Sequence, residues 1–72
     1  MSYTFSAVVE KEGRWYVALC PELDVASQGH TIELALRNLK EAVQLYLQTA
    51  SKSELKNALG SPPLITTLEV KV

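Results

Sequence analysis

The fold is decided by the stretch from Tyr16 to Thr31, which reads YVALCPELDVASQGHT. It opens as an apolar strand and reaches Pro21, whose nitrogen carries no hydrogen and therefore ends the pairing of that strand with a neighbour. A second short strand follows and stops at Gly29, which permits a sharp exit of the backbone. Thr31 then supplies a hydroxyl that can cap the first turn of a helix. The sequence therefore predicts strand, turn, strand and helix in immediate succession.

The residues before this stretch add one more strand to the sheet. The run from Tyr3 to Glu10 alternates between two faces and contains the aromatic and β-branched residues that are typical of strands. A charged hairpin loop at 11–14 connects it to the second strand, Trp15 to Cys20, whose two apolar faces favour a central position. The third strand spans 25–28. Because short turns join all three strands, they must form an antiparallel meander.

The residues after this stretch predict a long helix and a final strand. Apolar residues recur at helical spacing over five turns. This stripe comprises Ile32, Ala35, Leu36, Leu39, Ala42, Val43, Tyr46 and Ala50. A short second helix is predicted at 51–60, and Leu64 to Val72 alternates again as a fourth strand. The fold class is thus α+β in the order β-β-β-α-(α)-β, and an exposed last strand invites pairing with a second chain.

Size and composition limit how the chain is stabilised and where it acts. A chain of 72 residues forms one small domain, and the free energy gained by burying its core about cancels the cost of ordering the chain. One cysteine and one histidine provide neither a disulfide nor a zinc site, so we expect a homodimer or higher oligomer. A net charge of −1 gives no basic patch for nucleic acid. With neither a signal peptide nor a membrane span, the chain is expected in the cytoplasm.

Few residues suggest chemistry, and each has a structural interpretation that we favour. His30 precedes the helix cap and is interpreted as a turn residue that tolerates an awkward backbone conformation. Cys20 is interpreted as a small packing group. A magnesium site for residual nuclease activity would need Glu22, Asp24 and Glu33 together. The sequence therefore predicts no catalytic residue, no metal and no cofactor.

Aromatic residues in the first two strands could instead form a platform for stacking RNA bases. We favour core and dimer packing, because the basic surround and the glycine-aromatic signature of such platforms are missing. The residues concerned are Tyr3, Phe5, Trp15 and Tyr16.

The order of short motifs resembles the HicB-like antitoxin family, over residues 3 to 50 and again at 68–72. The family pattern is an aromatic-apolar strand, a Pro-x-Leu turn, a Ser-Gln-Gly strand end, a threonine cap and a Glu-Ala helix ending in Tyr-Leu. The matching residues are Tyr16-Val17-Ala18, Pro21-Glu22-Leu23, Ser27-Gln28-Gly29, Thr31, Ala35, Asn38-Leu39, Glu41-Ala42 and Leu45-Tyr46-Leu47.

This resemblance implies a partially degraded RNase H-like fold, self-association, and a protein partner that is a small mRNA-cleaving HicA-type toxin. The sequence departs from the family at His30, where an acidic residue is usual, and at Asp24-Val25, where a glycine-containing bend is commoner. Many family members also carry a DNA-binding segment after this module. Since the chain ends at Val72, we expect a single domain, 1–72, without direct nucleic-acid binding.

The first hypothesis is therefore a non-catalytic antitoxin-like protein. Its partner-binding residues are predicted to be Glu22, Asp24 and His30, taken as one exposed corner whose acids suit a basic, RNA-binding toxin. The alternative is an orphan dimeric scaffold or small-ligand-binding module without a toxin partner. A residual magnesium-dependent nuclease ranks last.

Overall fold

The computed structural model of the chain describes residues 4–51, 53 and 64–72. Three strands are followed by one helix: β1 (Val8–Glu12), β2 (Trp15–Cys20), β3 (Val25–Gly29) and α1 (Ile32–Thr49). The strands form one antiparallel sheet in the order β1-β2-β3, so β2 is central. The predicted α+β arrangement of a meander followed by a long helix is confirmed.

β1 begins and ends later than the sequence pattern indicates. The hairpin turn contains only two residues, and Gly13 has a φ of 60°, which suits the first position of a tight hairpin turn. Pairing therefore extends to Glu12, inside the predicted loop. At the other end, Val8 pairs with Leu19, and two further steps of this register set Ser6 opposite Pro21. Because Pro21 has no N–H to donate, the ladder cannot continue there.

The turn from Pro21 to Asp24 contains the one non-glycine residue with a positive φ among those that the structure describes. Asp24 has a φ of 54°, in the left-handed region that costs most residues about 1–2 kcal/mol. The awkward conformation expected at His30 is therefore found at Asp24 instead, where aspartate is one of the residues that tolerates it. Leu23, inside the turn, is buried and donates its N–H to the carbonyl oxygen of Cys20 at 3.3 Å.

The start of α1 is fixed by two sequence features that were predicted. Thr31 is the N-cap, and its Oγ1 accepts a hydrogen bond from the N–H of Leu34 at 3.0 Å. Gly29 ends β3 against the first turn of the helix, so closely that a Cβ there would lie 2.7 Å from the backbone nitrogen of Ala35. Asn38 adds a side-chain hydrogen bond to the carbonyl oxygen of Gln28 at 2.8 Å. The helix is therefore held tightly to the end of β3.

The helix covers only one face of the sheet, and the buried core beneath it is small. Among the described residues, that core contains Ala18, Cys20, Leu23, Ala35 and Leu39, and the largest fully buried side chain there is that of Cys20. Two members of the predicted stripe lie at its edge, since Ile32 is 48% and Leu36 is 39% exposed. None of the helices in the described ranges is both long enough and apolar enough to span a bilayer.

The predicted fourth strand is not formed in the single chain. Residues 64–72 have no regular secondary structure, and every one of them is exposed. The physical reason is that a strand exists only when its backbone pairs with another, and none of the described strands pairs with the segment. Most of the predicted second helix, 51–60, lies outside the described residues.

Candidate functional site

The face of the sheet that α1 does not cover is the candidate site, and we call it the open face. Ala18 and Cys20 point towards the helix, so the alternating residues of β2 point away from it. Residues that pair directly across neighbouring strands lie on the same face of the sheet. The residues of β1 and β3 that pair with Trp15, Val17 and Leu19 therefore lie on the open face as well. The open face comprises Val8, Glu10 and Glu12 on β1, Trp15, Val17 and Leu19 on β2, Ala26 and Gln28 on β3, and His30.

An apolar stripe runs along the middle of the open face. Trp15, Val17 and Leu19 form it, and Trp15 keeps 39% of its surface exposed. Because Ala26 is small, a depression of about 220 Å³ lies beside Val17 and Gln28. A partly exposed tryptophan is the kind of residue that carries binding energy at protein interfaces.

Trp15 and His30 stack on each other at one end of the open face. Their ring centroids are 3.9 Å apart and their planes differ by 27°. This contact was missed in the sequence, although a signal for it was present. A four-residue turn at 21–24 sets Cys20 opposite Val25, and counting back along that register sets Trp15 opposite His30.

The β1 side of the open face is acidic. Glu10 pairs with Val17 and Glu12 pairs with Trp15, so both carboxylates flank the apolar stripe. Both are exposed, and within the described ranges neither forms an ion pair. Lys11 lies between them but points to the covered side, where its Nζ is 5.8 Å from the centroid of the Tyr16 ring. The strand therefore presents negative charge on the open face only.

Glu22 lies elsewhere and has a structural role. Its two carboxylate oxygens accept the N–H of Ser6 at 3.1 and 2.9 Å, two residues before β1 begins. The thiol of Cys20 also donates to Oε1 at 3.6 Å. Partial burial acts to raise the pKa of Glu22, but the hydrogen bonds from Ser6 outweigh it and hold the pKa below its ordinary value.

Replacing Glu22 with glutamine should destabilise the fold in a pH-dependent way. The folded state holds this carboxyl at a lower pKa than the unfolded chain, so its ionised form stabilises the fold. That contribution is complete above the ordinary pKa of 4.5 and is lost as the pH falls below it through the folded-state pKa. We expect the free energy of unfolding of the variant to be about 1 kcal/mol lower than that of wild type near neutral pH. The difference is small because solvent screens this partly exposed carboxylate.

Urea unfolding of both proteins across the acid range measures this difference. The gap between wild type and Glu22→Gln should close as the carboxyl protonates. Glu41→Gln, an exposed helical substitution, is the control and should leave no comparable gap. A gap of constant size down to about pH 3 would contradict the assignment.

The predicted corner of Glu22, Asp24 and His30 is not formed. β3 separates Asp24 from His30, and its five residues span roughly 17 Å. Glu33 lies in the first turn of α1, beyond His30, and so is also remote from the other two acids. Among the described residues, no group of three or more potential metal ligands comes together. The structure therefore places these residues in separate environments.

Cys20 is a core residue, as expected. It is 1% exposed, and burial raises the pKa of its thiol, with the nearby Glu22 carboxylate acting in the same direction. A buried thiol with a raised pKa is a poor nucleophile. Phe5 and Tyr16 also pack against the core, whereas Trp15 lies on the open face and Tyr3 lies outside the described residues.

Comparisons with known proteins found two relatives of similar size. The chain is 39% identical to a UPF0150 protein of Helicobacter pylori (strain J99) over 66 residues, which cover 90% of this chain and 92% of the relative. It is 41% identical to a UPF0150 protein of Synechocystis over 49 residues, 65% of this chain and 62% of that relative. No family profile matches the chain, and no solved structure does.

Proposed function

The chain belongs to the UPF0150 family, and we propose that it is a non-catalytic binding protein of the HicB-like antitoxin kind. Its partner is a small mRNA-cleaving toxin of the HicA type, which it neutralises by covering the surface that binds RNA. The motif order from Tyr16 to Leu47 supports this kind of protein, through its resemblance to the HicB-like family.

The open face is the observation that carries the proposal. One side of the sheet is covered by α1, and the other presents Trp15, Val17 and Leu19 without a covering layer in the described ranges. A partly exposed tryptophan on a rigid central strand loses little conformational freedom when it binds. The open face therefore suits a protein partner that covers the stripe.

The charge of the open face favours a basic partner. Glu10 and Glu12 flank the stripe and keep their carboxylates exposed. A protein that cleaves mRNA must attract phosphates, so its active surface is basic and complements these acids. The depression beside Val17 can receive the aliphatic part of a lysine or arginine side chain.

Two further parts of the proposal concern assembly and location. We take the protein to act as a homodimer, because the buried core of the described ranges consists of five residues with small or medium side chains. We place it in the cytoplasm, with the mRNA that the toxin would cleave. The second candidate, a self-assembling scaffold without a toxin, is favoured only by the exposed apolar segment 64–72.

Growth rescue tests the proposal. The chain is co-expressed with the product of the gene beside its own, which the proposal expects to be the toxin, and growth and complex formation are followed. We expect growth to be restored and the two proteins to co-elute in gel filtration. Glu10→Lys should slow association with the toxin about tenfold, because it reverses a charge that attracts the partner.

Glu41→Lys is the matched control, since it makes the same charge change on the exposed side of α1. It should leave association nearly unchanged. If the two proteins neither co-elute nor restore growth, the antitoxin proposal is wrong. If both lysine variants slow association equally, the proposal that the open face is the binding surface is wrong.

A further inference from the structure

Two apolar features of the described chain are uncovered, a groove and a segment, and each is suited to bind the other. One is a groove of about 200 Å³ between the residues that lead into β1 and the outer side of α1. The other is the segment 64–72, in which every residue is exposed. We call them the edge groove and the terminal segment.

The edge groove is apolar and adjoins an unpaired strand. Phe5, Ala7, Leu36 and Val43 line it, and Lys40 lies at its rim. β1 is an edge strand of the sheet, so among the described residues one side of its backbone has no strand partner. Exposed edges of this kind bind an additional strand, whose alternate side chains then enter the adjoining apolar surface.

The terminal segment has the pattern that such an edge accepts. Leu64, Leu68 and Val70 fall on one face at period two, and Leu64 and Leu68 are 89% and 87% exposed. The opposite face carries Glu69 and Lys71, which suit a surface in contact with water. Leaving this many large apolar side chains in solvent is costly for so short a chain.

We propose that the terminal segment of a second copy of the chain adds to the edge of β1 and inserts its apolar face into the edge groove. The exchange is reciprocal, so two segments fill two grooves in a symmetric dimer. A second copy is favoured because every residue of the chain's own segment is exposed and, in the described part of the chain, its own groove is uncovered. The small core supplies the reason for the exchange, since each subunit gains an apolar layer.

This inference rests on the self-association proposed above but not on the toxin, because the groove lies on the covered side of the sheet, away from the open face. Sedimentation equilibrium of the full chain at micromolar concentration tests it. Wild type should sediment as a dimer, at twice the chain mass of 8.0 kDa. Leu68→Asp should weaken the dimer at least about 100-fold, because it places a charge in the groove.

Thr67→Asp is the matched control, since the same charge falls on the opposite face of the same segment and should leave the dimer intact. Amide hydrogen exchange of wild type gives an independent measurement. Residues 64–72 should be protected above the dissociation constant and unprotected below it. If wild type is a monomer, both the proposed self-association and the proposed exchange of terminal segments are wrong. A dimer that resists Leu68→Asp, or protection of 64–72 at monomer mass, would overturn only the exchange.

Discussion

Replacing Gly29 with alanine is expected to lower the free energy of unfolding by about 3 kcal/mol. A Cβ at this position would lie 2.7 Å from the backbone nitrogen of Ala35 and 2.8 and 2.9 Å from the Cβ and carbonyl carbon of Leu34. Two of these three atoms belong to the helix backbone. Relief therefore requires α1 to move away from β3, which would strain the Thr31 cap.

Gly13→Ala separates this clash from the ordinary effects of losing a glycine. Gly13 has a φ of 60°, yet nothing lies within 4 Å of where its Cβ would be. That substitution should cost about 1 kcal/mol, from backbone strain alone. Chemical denaturation of the two variants measures the difference. If Gly29→Ala is no more destabilising than Gly13→Ala, that result would contradict the close approach of α1 to the end of β3.

Replacing Trp15 with alanine is expected to weaken toxin binding by about 2 kcal/mol, or roughly 30-fold. Trp15 is the largest side chain on the open face, and its indole is held in place by the stack on His30 at 3.9 Å. A pre-positioned aromatic side chain loses little entropy on binding, so its removal affects affinity strongly. The fold should lose much less stability than it would from a core substitution, because Trp15 lies outside the core.

Isothermal titration of the toxin with each variant measures this effect. Leu45→Ala is the control, because Leu45 is a large apolar residue on α1 that is 60% exposed. It should leave the affinity nearly unchanged. Equal losses from the two variants would show that the partner does not bind preferentially to the open face.

The elements that follow from local chemistry could be predicted from the sequence. Pro21, Gly29 and Thr31 act on the backbone within one or two residues of themselves, so the end of β2, the exit from β3 and the start of α1 were all found. The position of β1 was less accurate, because its start depends on a residue across the sheet. Ser6 faces Pro21 and binds Glu22 instead, a contact sixteen residues apart in sequence.

The candidate site could be predicted only in part. Glu22, Asp24 and His30 are near each other in sequence, but β3 carries the chain away before His30 is reached. Both faces of β2 are apolar, so the pattern alone did not decide which face α1 would cover. Ala18 and Cys20 face the helix because small side chains let α1 approach the sheet closely. The larger Trp15, Val17 and Leu19 are thereby left on the open face.

We propose that this chain neutralises a toxin by occupying its surface. Cleavage of RNA by the toxin, measured against increasing amounts of the chain, tests it most directly. Cleavage should fall in proportion to the added chain and stop at stoichiometric equivalence, and Trp15→Ala should require a large excess. Cleavage that continues with the chain in excess, or RNA degraded by the chain alone, would contradict the claim.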